Sequence, residues 1–251
     1  MMEELFKILS LDERKIDMYI NNKLNILNIG NNYEEVSLSD TGGEIYQNWI
    51  NTDTAYLPSG MRSKGFKIDF QFIKEFIKDV KEKFGKIPVD RLVENLNEDK
   101  LIKYFNMYII SYFGVEYNET KRKEIYGYGS LNSIGETLNI SDLKGLNVAR
   151  CIEKSAALNE ILNFLGIDSS LVLSEANNIG HAYCLVNTEG KHLIVDPNFF
   201  AHDMNGKGVP YIFEINPHDK LCTFDPSVFG DNESLKVSYN FPSERISNIK
   251  R

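Results

Sequence analysis

The segment from residue 147 to residue 196 most constrains the fold, because its periodicity changes from helix to strand at a single glycine. Before Gly166, apolar residues recur at helical spacing from position 147 or 149 to Leu165, and glycine commonly follows a helix C-terminus. After Gly166, turn residues separate five runs with strand character: 170–174, 181–187, 192–196, 211–215 and 234–239. Helices followed by a run of strands favour an α+β fold with a largely antiparallel sheet over a doubly wound α/β fold.

The first half of the chain is predicted to be mainly helical. Apolar residues repeat at steps of three and four in residues 69–84 and 98–113, and a helix is also expected over 3–20. Residues 24–39 are predicted to hold one or two short strands, and the glycine-rich residues 40–65 a long loop or a pair of turns. We therefore divide the chain into an N-terminal region, 1–95, and a core with the C-terminal strands, 96–251, although one continuous domain is the alternative.

Composition argues against several classes of function. The 251 residues carry a formal net charge of −8, whereas a general electrostatic grip on nucleic acid or on an anionic membrane requires clustered positive charge. The N-terminus lacks the features of a signal peptide, and no uncharged apolar stretch is long enough to span a membrane. Three cysteines suit a reducing compartment, so we expect a cytoplasmic protein, and nothing in the sequence calls for a cofactor.

Three side chains form the candidate site, namely Cys151, His181 and Asp196. Cys151 falls in the first turn of the predicted helix, where unpaired N–H groups and the helix dipole favour an anionic sulfur. The helical stripe to which Cys151 belongs should turn its sulfur towards the sheet. A thiol, an imidazole and a carboxylate in this order are the groups of a nucleophile, a base and an orienting acid.

The strands of His181 and Asp196 can be joined by a tight hairpin. A two-residue loop at Thr188 and Glu189 would place His181 directly opposite Asp196, on one face of the sheet. A three-residue loop would put the two side chains on opposite faces, unless a β-bulge restored the phase. The hypothesis of a triad is therefore also a prediction about strand register.

These residues resemble the transglutaminase-like superfamily, which belongs to the wider papain-like group of Cys-His-Asp cysteine enzymes. The similarity spans residues 143–200 and lies in the helix that begins at Cys151 and ends Leu165-Gly166-Ile167, the strand Gly180-His181-Ala182-Tyr183 and the closing Val195-Asp196-Pro197-Asn198. It implies a cysteine-bearing helix packed on an antiparallel sheet, with Cys151 as nucleophile, His181 as base and Asp196 as orienting acid. The chain departs from the family pattern at Ala149-Arg150, where glycine is frequent, and at Tyr183, where tryptophan often follows His-Ala.

The resemblance implies a cysteine-dependent hydrolase or acyltransferase that acts on an amide bond of a peptide, protein or peptide-like substrate. The backbone N–H of Cys151 is one candidate oxyanion donor, and either Tyr128 or Asn147 is a candidate for the second. Some members of the superfamily have lost activity, so a non-catalytic binding module is an alternative. Arylamine N-acetyltransferases share the order of the three groups and a Glu at the position of Glu153, but they carry Arg-Gly-Gly before the cysteine, unlike this chain.

A zinc site is a rival explanation of the same residues. Cys151, His181, Cys184 and Asp196 are all of types that bind zinc. Cys184 follows His181 by three positions on a predicted strand, so its side chain should point to the opposite face. We therefore expect Cys184 to pack as a small apolar residue, and we expect no metal.

Overall fold

The computed structural model of this chain describes residues 1–30, 36–38, 43–46, 64–126, 136–177, 179–188, 190–202, 208–216, 221–225 and 237–240. Most helices precede most strands, and the α+β class is confirmed. The helices are α1 (Met2–Ser10), α2 (Glu13–Gly30), α3 (Phe70–Phe84), α4 (Val89–Asn95), α5 (Glu98–Phe113), α6 (Glu119–Tyr126), α7 (Cys151–Phe164) and a 3₁₀ turn at Ile140–Leu143. Within these described ranges, no helix has both the length and the apolar character needed to cross a membrane.

Helices α3 and α5 match the predicted ranges closely. Each has a side-chain cap at its start: Asp69 accepts a hydrogen bond from the N–H of Gln71 (3.1 Å), and Asn97 accepts one from the N–H of Lys100 (3.0 Å). Gly114 ends α5 with a φ of 90°, which a residue with a Cβ rarely adopts. The apolar stripes of both helices are buried, as their periodicity predicts.

The strands form one large antiparallel sheet and a small parallel pair. They are β1 (Val36–Leu38), β2 (Gly43–Tyr46), β3 (Lys64–Lys67), β4 (Glu136–Asn139), β5 (Asp168–Ala176), β6 (Ile179–Thr188), β7 (Lys191–His202), β8 (Gly208–Ile215), β9 (Leu221–Phe224) and β10 (Val237–Asn240). The large sheet runs β1-β2-β5-β6-β7-β8, and β10 pairs with both β5 and β9. β3 and β4 pair in parallel. All five strands predicted after Gly166 are present, and β9 is an additional one.

Several predictions for the first half were wrong. The helix predicted over 3–20 is two helices, and α2 continues to Gly30, inside the range 24–39 that was predicted to hold one or two short strands; one short strand, β1, does lie in that range. Short apolar runs are compatible with either element, so periodicity alone does not separate them. Strand β2 and the start of β3 fall inside the loop predicted over 40–65, and the rest of that loop lies outside the described residues. Helices α4 and α6 were not predicted.

Helix α7 lies at the centre of the protein. It packs on α5 on one side and on β5, β6 and β7 on the other, and it is buried along almost its whole length. The sheet face towards α7 joins a large core that also contains residues of α1, α3 and α5, whereas the opposite face carries a smaller, tyrosine-rich cluster. The large core draws on residues from both sides of position 95, and the domain boundary there stays a prediction.

Candidate active site

Cys151 is the first residue of α7, and local backbone geometry sets that start. Asn147 has a φ of 58° and Arg150 is extended, so neither continues a helix, and the earlier start predicted at 147 or 149 is wrong. The Glu153 carboxylate accepts a hydrogen bond from the N–H of Arg150 at 2.9 Å. This is the glutamate half of a capping box, and it places the thiol in the first turn as predicted.

Glu153 also ties this turn to helix α6. Its Oε1 accepts hydrogen bonds from Arg122 Nη2 (2.8 Å) and from the Tyr126 hydroxyl (2.7 Å), and Arg122 Nη1 donates to the carbonyl of Val148 at 2.5 Å. The guanidinium lies over the Tyr126 ring, 4.3 Å from its centre. Arg122 and Glu153 are both buried, so the helical turn that carries Cys151 is held by charged, directional contacts.

The Arg150 side chain does not extend to the thiol. Its Nε donates to the Tyr117 hydroxyl (2.6 Å), and its Nη2 donates to Glu119 Oε2 (2.7 Å). The guanidinium also lies over the Tyr117 ring. The Arg150 side chain therefore contacts Tyr117, which precedes α6, and Glu119, the first residue of α6. Its backbone forms the N-cap of α7, directly before Cys151.

His181 and Asp196 meet as expected, but through a different register. The imidazole Nε2 lies 2.6 Å from Asp196 Oδ2. The β6–β7 ladder pairs Thr188 with Lys191, so Thr188 belongs to the strand and the predicted loop at Thr188 and Glu189 was wrong. Compared with the predicted hairpin, the register of β7 against β6 is shifted by two residues. A shift by an even number keeps the His181 and Asp196 side chains on one face of the sheet and makes them diagonal neighbours instead of direct partners.

The Asp196 carboxylate is fully buried and accepts three hydrogen bonds. Oδ2 accepts from His181 Nε2 and from the hydroxyl of Tyr239 (2.7 Å), and Oδ1 accepts from the N–H of Asn198 (2.8 Å). The Asn106 side chain donates to the Asp196 carbonyl at 3.4 Å. Past Asp196 the β7–β8 register shifts, as at a β-bulge. These donors compensate for burying a carboxylate away from water.

The surroundings of His181 favour its charged form. Its side chain is 7% exposed and lies among the rings of Tyr183, Phe199 and Tyr239. Burial on its own lowers the pKa of His181, but the charge and hydrogen bond of Asp196, with a hydrogen bond to Cys151, raise it to about 10. At neutral pH the ring is therefore expected to be an imidazolium paired with the Asp196 carboxylate.

The three cysteines differ in environment. Cys151 is partly exposed and packs at the margin of the large core, whereas Cys184 and Cys222 are buried. The Cys184 thiol donates to the carbonyl of Ser155 at 3.2 Å, and burial raises its pKa well above the usual value. Cys184 packs in the core on the α7 side of the sheet, so it does not converge with His181 and Asp196 on a zinc ion. Among the residues that the structure describes, no group of three or more His, Cys, Asp or Glu side chains can hold a metal ion.

Sequence reasoning missed Lys154, in the first turn of α7. Lys154 is buried, and its Nζ donates to the Gly114 carbonyl at 3.1 Å. Burial lowers the pKa of Lys154, against the attraction of Asp196, Cys151 and Glu153. A buried cation thus lies within electrostatic range of both the thiol and the carboxylate. The sequence signal that could have indicated it is a lysine within one turn of the cysteine on a helix predicted to pack against the sheet.

The second oxyanion donor stays open between the two predicted candidates. The side chain of Asn147 lies against Gly114, where a Cβ would fall 1.6 Å from Asn147 Oδ1. Tyr128 lies outside the described residues. The backbone N–H of Cys151, the other candidate oxyanion donor, lies at the N-terminus of α7, where helix N–H groups lack a partner within the helix.

Comparisons with known proteins do not assign a family. No protein-family model, curated protein or solved structure matches this chain. The resemblance to transglutaminase-like enzymes therefore rests on the site residues and their arrangement.

Proposed function

We propose that this protein is a cysteine-dependent amide-bond hydrolase or acyltransferase of the transglutaminase-like type, acting on a peptide, protein or peptide-like substrate. The observation that carries the proposal is the position of the His181 ring: its Nε2 lies 2.6 Å from Asp196 Oδ2, and the neighbouring Cys151 thiol is among the groups that raise the pKa of His181. Since Nε2 is bound to Asp196, Nδ1 is the nitrogen left to exchange a proton with the thiol. This is the relay that thiol catalysis requires.

The architecture supports the same proposal. A buried central helix presents Cys151 at its N-terminus, and an antiparallel sheet supplies His181 near the start of β6 and Asp196 on the neighbouring strand. Free N–H groups at the helix start favour a thiolate and an oxyanion in the same place. A papain-like core has this arrangement, and we propose it for this chain.

The proposed reaction proceeds through an acyl-enzyme. The thiol proton resides on His181, and the sulfur attacks the carbonyl carbon of the substrate amide while the N–H of Cys151 stabilises the oxyanion. His181 then gives its proton to the leaving nitrogen as the C–N bond breaks, which leaves a thioester. Water resolves the thioester to an acid, or an amine resolves it to a new amide, and the thiol is restored.

The geometry disfavours the alternative of a non-catalytic binding module. That alternative predicts a buried Cys151 or an imidazole too distant for proton transfer. Cys151 is partly exposed, and its thiol is near enough to His181 to contribute to the raised pKa of that imidazole. Acyl transfer of the arylamine N-acetyltransferase type is an alternative reaction for the same three residues, although no contact in the described residues favours it.

Two measurements test the proposal. Mild iodoacetamide at neutral pH should alkylate Cys151 well ahead of Cys184 and Cys222, and His181→Gln should remove that advantage. Wild type and Cys151→Ala are then incubated with a peptide library, with and without a primary amine, and the masses are read. Cleavage, deamidation or an amine adduct that requires Cys151 identifies the reaction type, with Cys222→Ser as the matched control. Equal alkylation of the three cysteines would contradict the proposal.

A further inference from the structure

Tyr239 contacts the candidate site from a distant part of the chain. It lies on the four-residue strand β10, which pairs with β5 at Ala176 and with β9. Its hydroxyl donates to Asp196 Oδ2 at 2.7 Å, and the same oxygen accepts the hydrogen bond from His181 Nε2 at 2.6 Å. Tyr239 and His181 thus compete for the charge of one carboxylate oxygen.

The packing around Tyr239 leaves its ring little freedom. The Tyr183 ring meets it edge to face at 5.1 Å, and the rings of Phe213 and His181 lie 5.5 Å and 6.1 Å away. The side chain is fully buried. Its hydroxyl is therefore aimed at Asp196 before any substrate binds, which is the condition for a preorganised hydrogen bond.

The Tyr239 hydroxyl keeps its proton, and so stays a hydrogen-bond donor, at neutral and moderately alkaline pH. Burial and the nearby charge of Asp196 raise the pKa of Tyr239 far above its usual value, so it keeps its proton. The other titratable groups that influence Asp196, His181 or their tyrosine neighbours come from several elements: Cys151 and Lys154 of α7, Tyr183 and Cys184 of β6, Tyr211 of β8 and Cys222 of β9.

We propose that Tyr239 is a positioning residue that orients the Asp196 carboxylate and, by sharing Oδ2, limits how tightly Asp196 holds the imidazolium of His181. The inference rests on the proposed function, because a base that is held too tightly does not give up its proton to the leaving group. It also makes the short strand β10 part of the catalytic apparatus. A hydrogen bond to a charged group is strong enough for its removal to be measurable.

The test is Tyr239→Phe, which removes the hydroxyl and keeps the ring. We expect the alkaline limb of the Cys151 alkylation profile, and the ¹⁵N-detected titration of the His181 imidazole, to move up by about one pH unit. Turnover should fall about tenfold with little change in KM. A ring-fluorinated tyrosine at position 239, a stronger donor in the same place, should move both titrations down.

The matched control is Tyr19→Phe, which deletes a buried hydroxyl that donates to another carboxylate, Glu4 Oε2, at 2.5 Å. It should leave both titrations unchanged. If Tyr239→Phe is folded by its thermal transition and the His181 titration does not move, the inference is wrong. The imidazole titration needs no turnover, so it decides the role of Tyr239 even if Cys151 shows no enhanced reactivity and the proposed function fails. Should Tyr239→Phe not fold, an unmoved titration in the fluorinated protein overturns the inference instead.

Discussion

Arg122 of α6 and Glu153 of α7 form a buried ion pair next to the turn that carries Cys151, with Nη2 2.8 Å from Oε1. The two side chains are 6% and 0% exposed, so neither charge can turn to water if its partner is lost. The second oxygen of Glu153 caps α7. One carboxylate thus sets both the start of the helix and its attachment to α6.

Glu153→Ala is therefore expected to lower the free energy of unfolding by about 3–5 kcal/mol, measured by urea titration. Adding Arg122→Met should recover part of that loss, because the uncompensated guanidinium is removed. The control is Glu94→Ala, which breaks the exposed pair with Arg91 (3.4 Å) and should cost less than about 1 kcal/mol. Similar losses in the two variants would show that the buried pair has no special role.

Asp196→Asn should reduce Cys151-dependent turnover by about 10²–10⁴-fold, because an amide neither stabilises the imidazolium nor selects the same tautomer. The pKa of His181 should fall in the same variant, since its strongest favourable partner is gone. Asp168→Asn is the matched control on the same sheet, where the exposed carboxylate accepts a hydrogen bond from the Asn187 side chain at 2.9 Å. Retained turnover in Asp196→Asn would remove Asp196 from the proposed mechanism.

Stability should fall as the pH rises from about 6.5 to about 10. His181 has a higher pKa in the folded chain than in the unfolded one, so in this window the folded state binds more protons. The contribution of the His181–Asp196 pair is complete below the window and is lost through it, by at most about 1.4 kcal/mol per pH unit. Urea unfolding at several pH values should show a shallower decline for His181→Gln than for wild type. Parallel declines would contradict the assigned charge state.

Lys154→Met should slow alkylation of Cys151 at neutral pH by about three- to tenfold, because it removes a buried cation that attracts the thiolate. Methionine keeps a similar linear shape, so the fold should persist. Lys144→Met provides the comparison, since Lys144 is largely exposed and pairs with Glu75 at 2.7 Å. Alkylation rates that match in the two variants would exclude an electrostatic role for Lys154.

Gly114→Ala should destabilise the protein more than Gly145→Ala does. Both glycines have a positive φ, of 90° and 64°, and each substitution carries a strain of about 1–3 kcal/mol. At Gly114 the new Cβ would also fall 1.6 Å from Asn147 Oδ1, whereas nothing lies within 4 Å at Gly145. The thermal transition should therefore drop further at position 114. A larger drop at position 145 would contradict the close approach of α5 to the segment before Cys151.

Local pattern was sufficient for most of the elements around the site. Helices α3, α5 and α7 and the strands after Gly166 were predictable because each repeats its periodicity over enough residues to identify one kind of element. Residues 24–39 were predicted to hold one or two strands; strand β1 lies there, but residues 24–30 are helical, since a short apolar run among polar residues fits both periods. The predicted loop wrongly included Thr188, which is the last residue of β6 and pairs with Lys191; Gly190, with a φ of 77°, lies between the two strands, where a tight turn favours glycine.

The sequence by itself determined the types and order of the three groups, the position of the thiol in the first turn of a helix and the strands of the imidazole and carboxylate. These are short-range properties that neighbouring residues set through hydrogen bonding and periodicity. Only the tertiary structure decided the diagonal pairing of His181 with Asp196, the contact of Tyr239 with Asp196 and the ion pair between Arg122 and Glu153. Those contacts join residues far apart in the chain, and they follow from how the whole core packs.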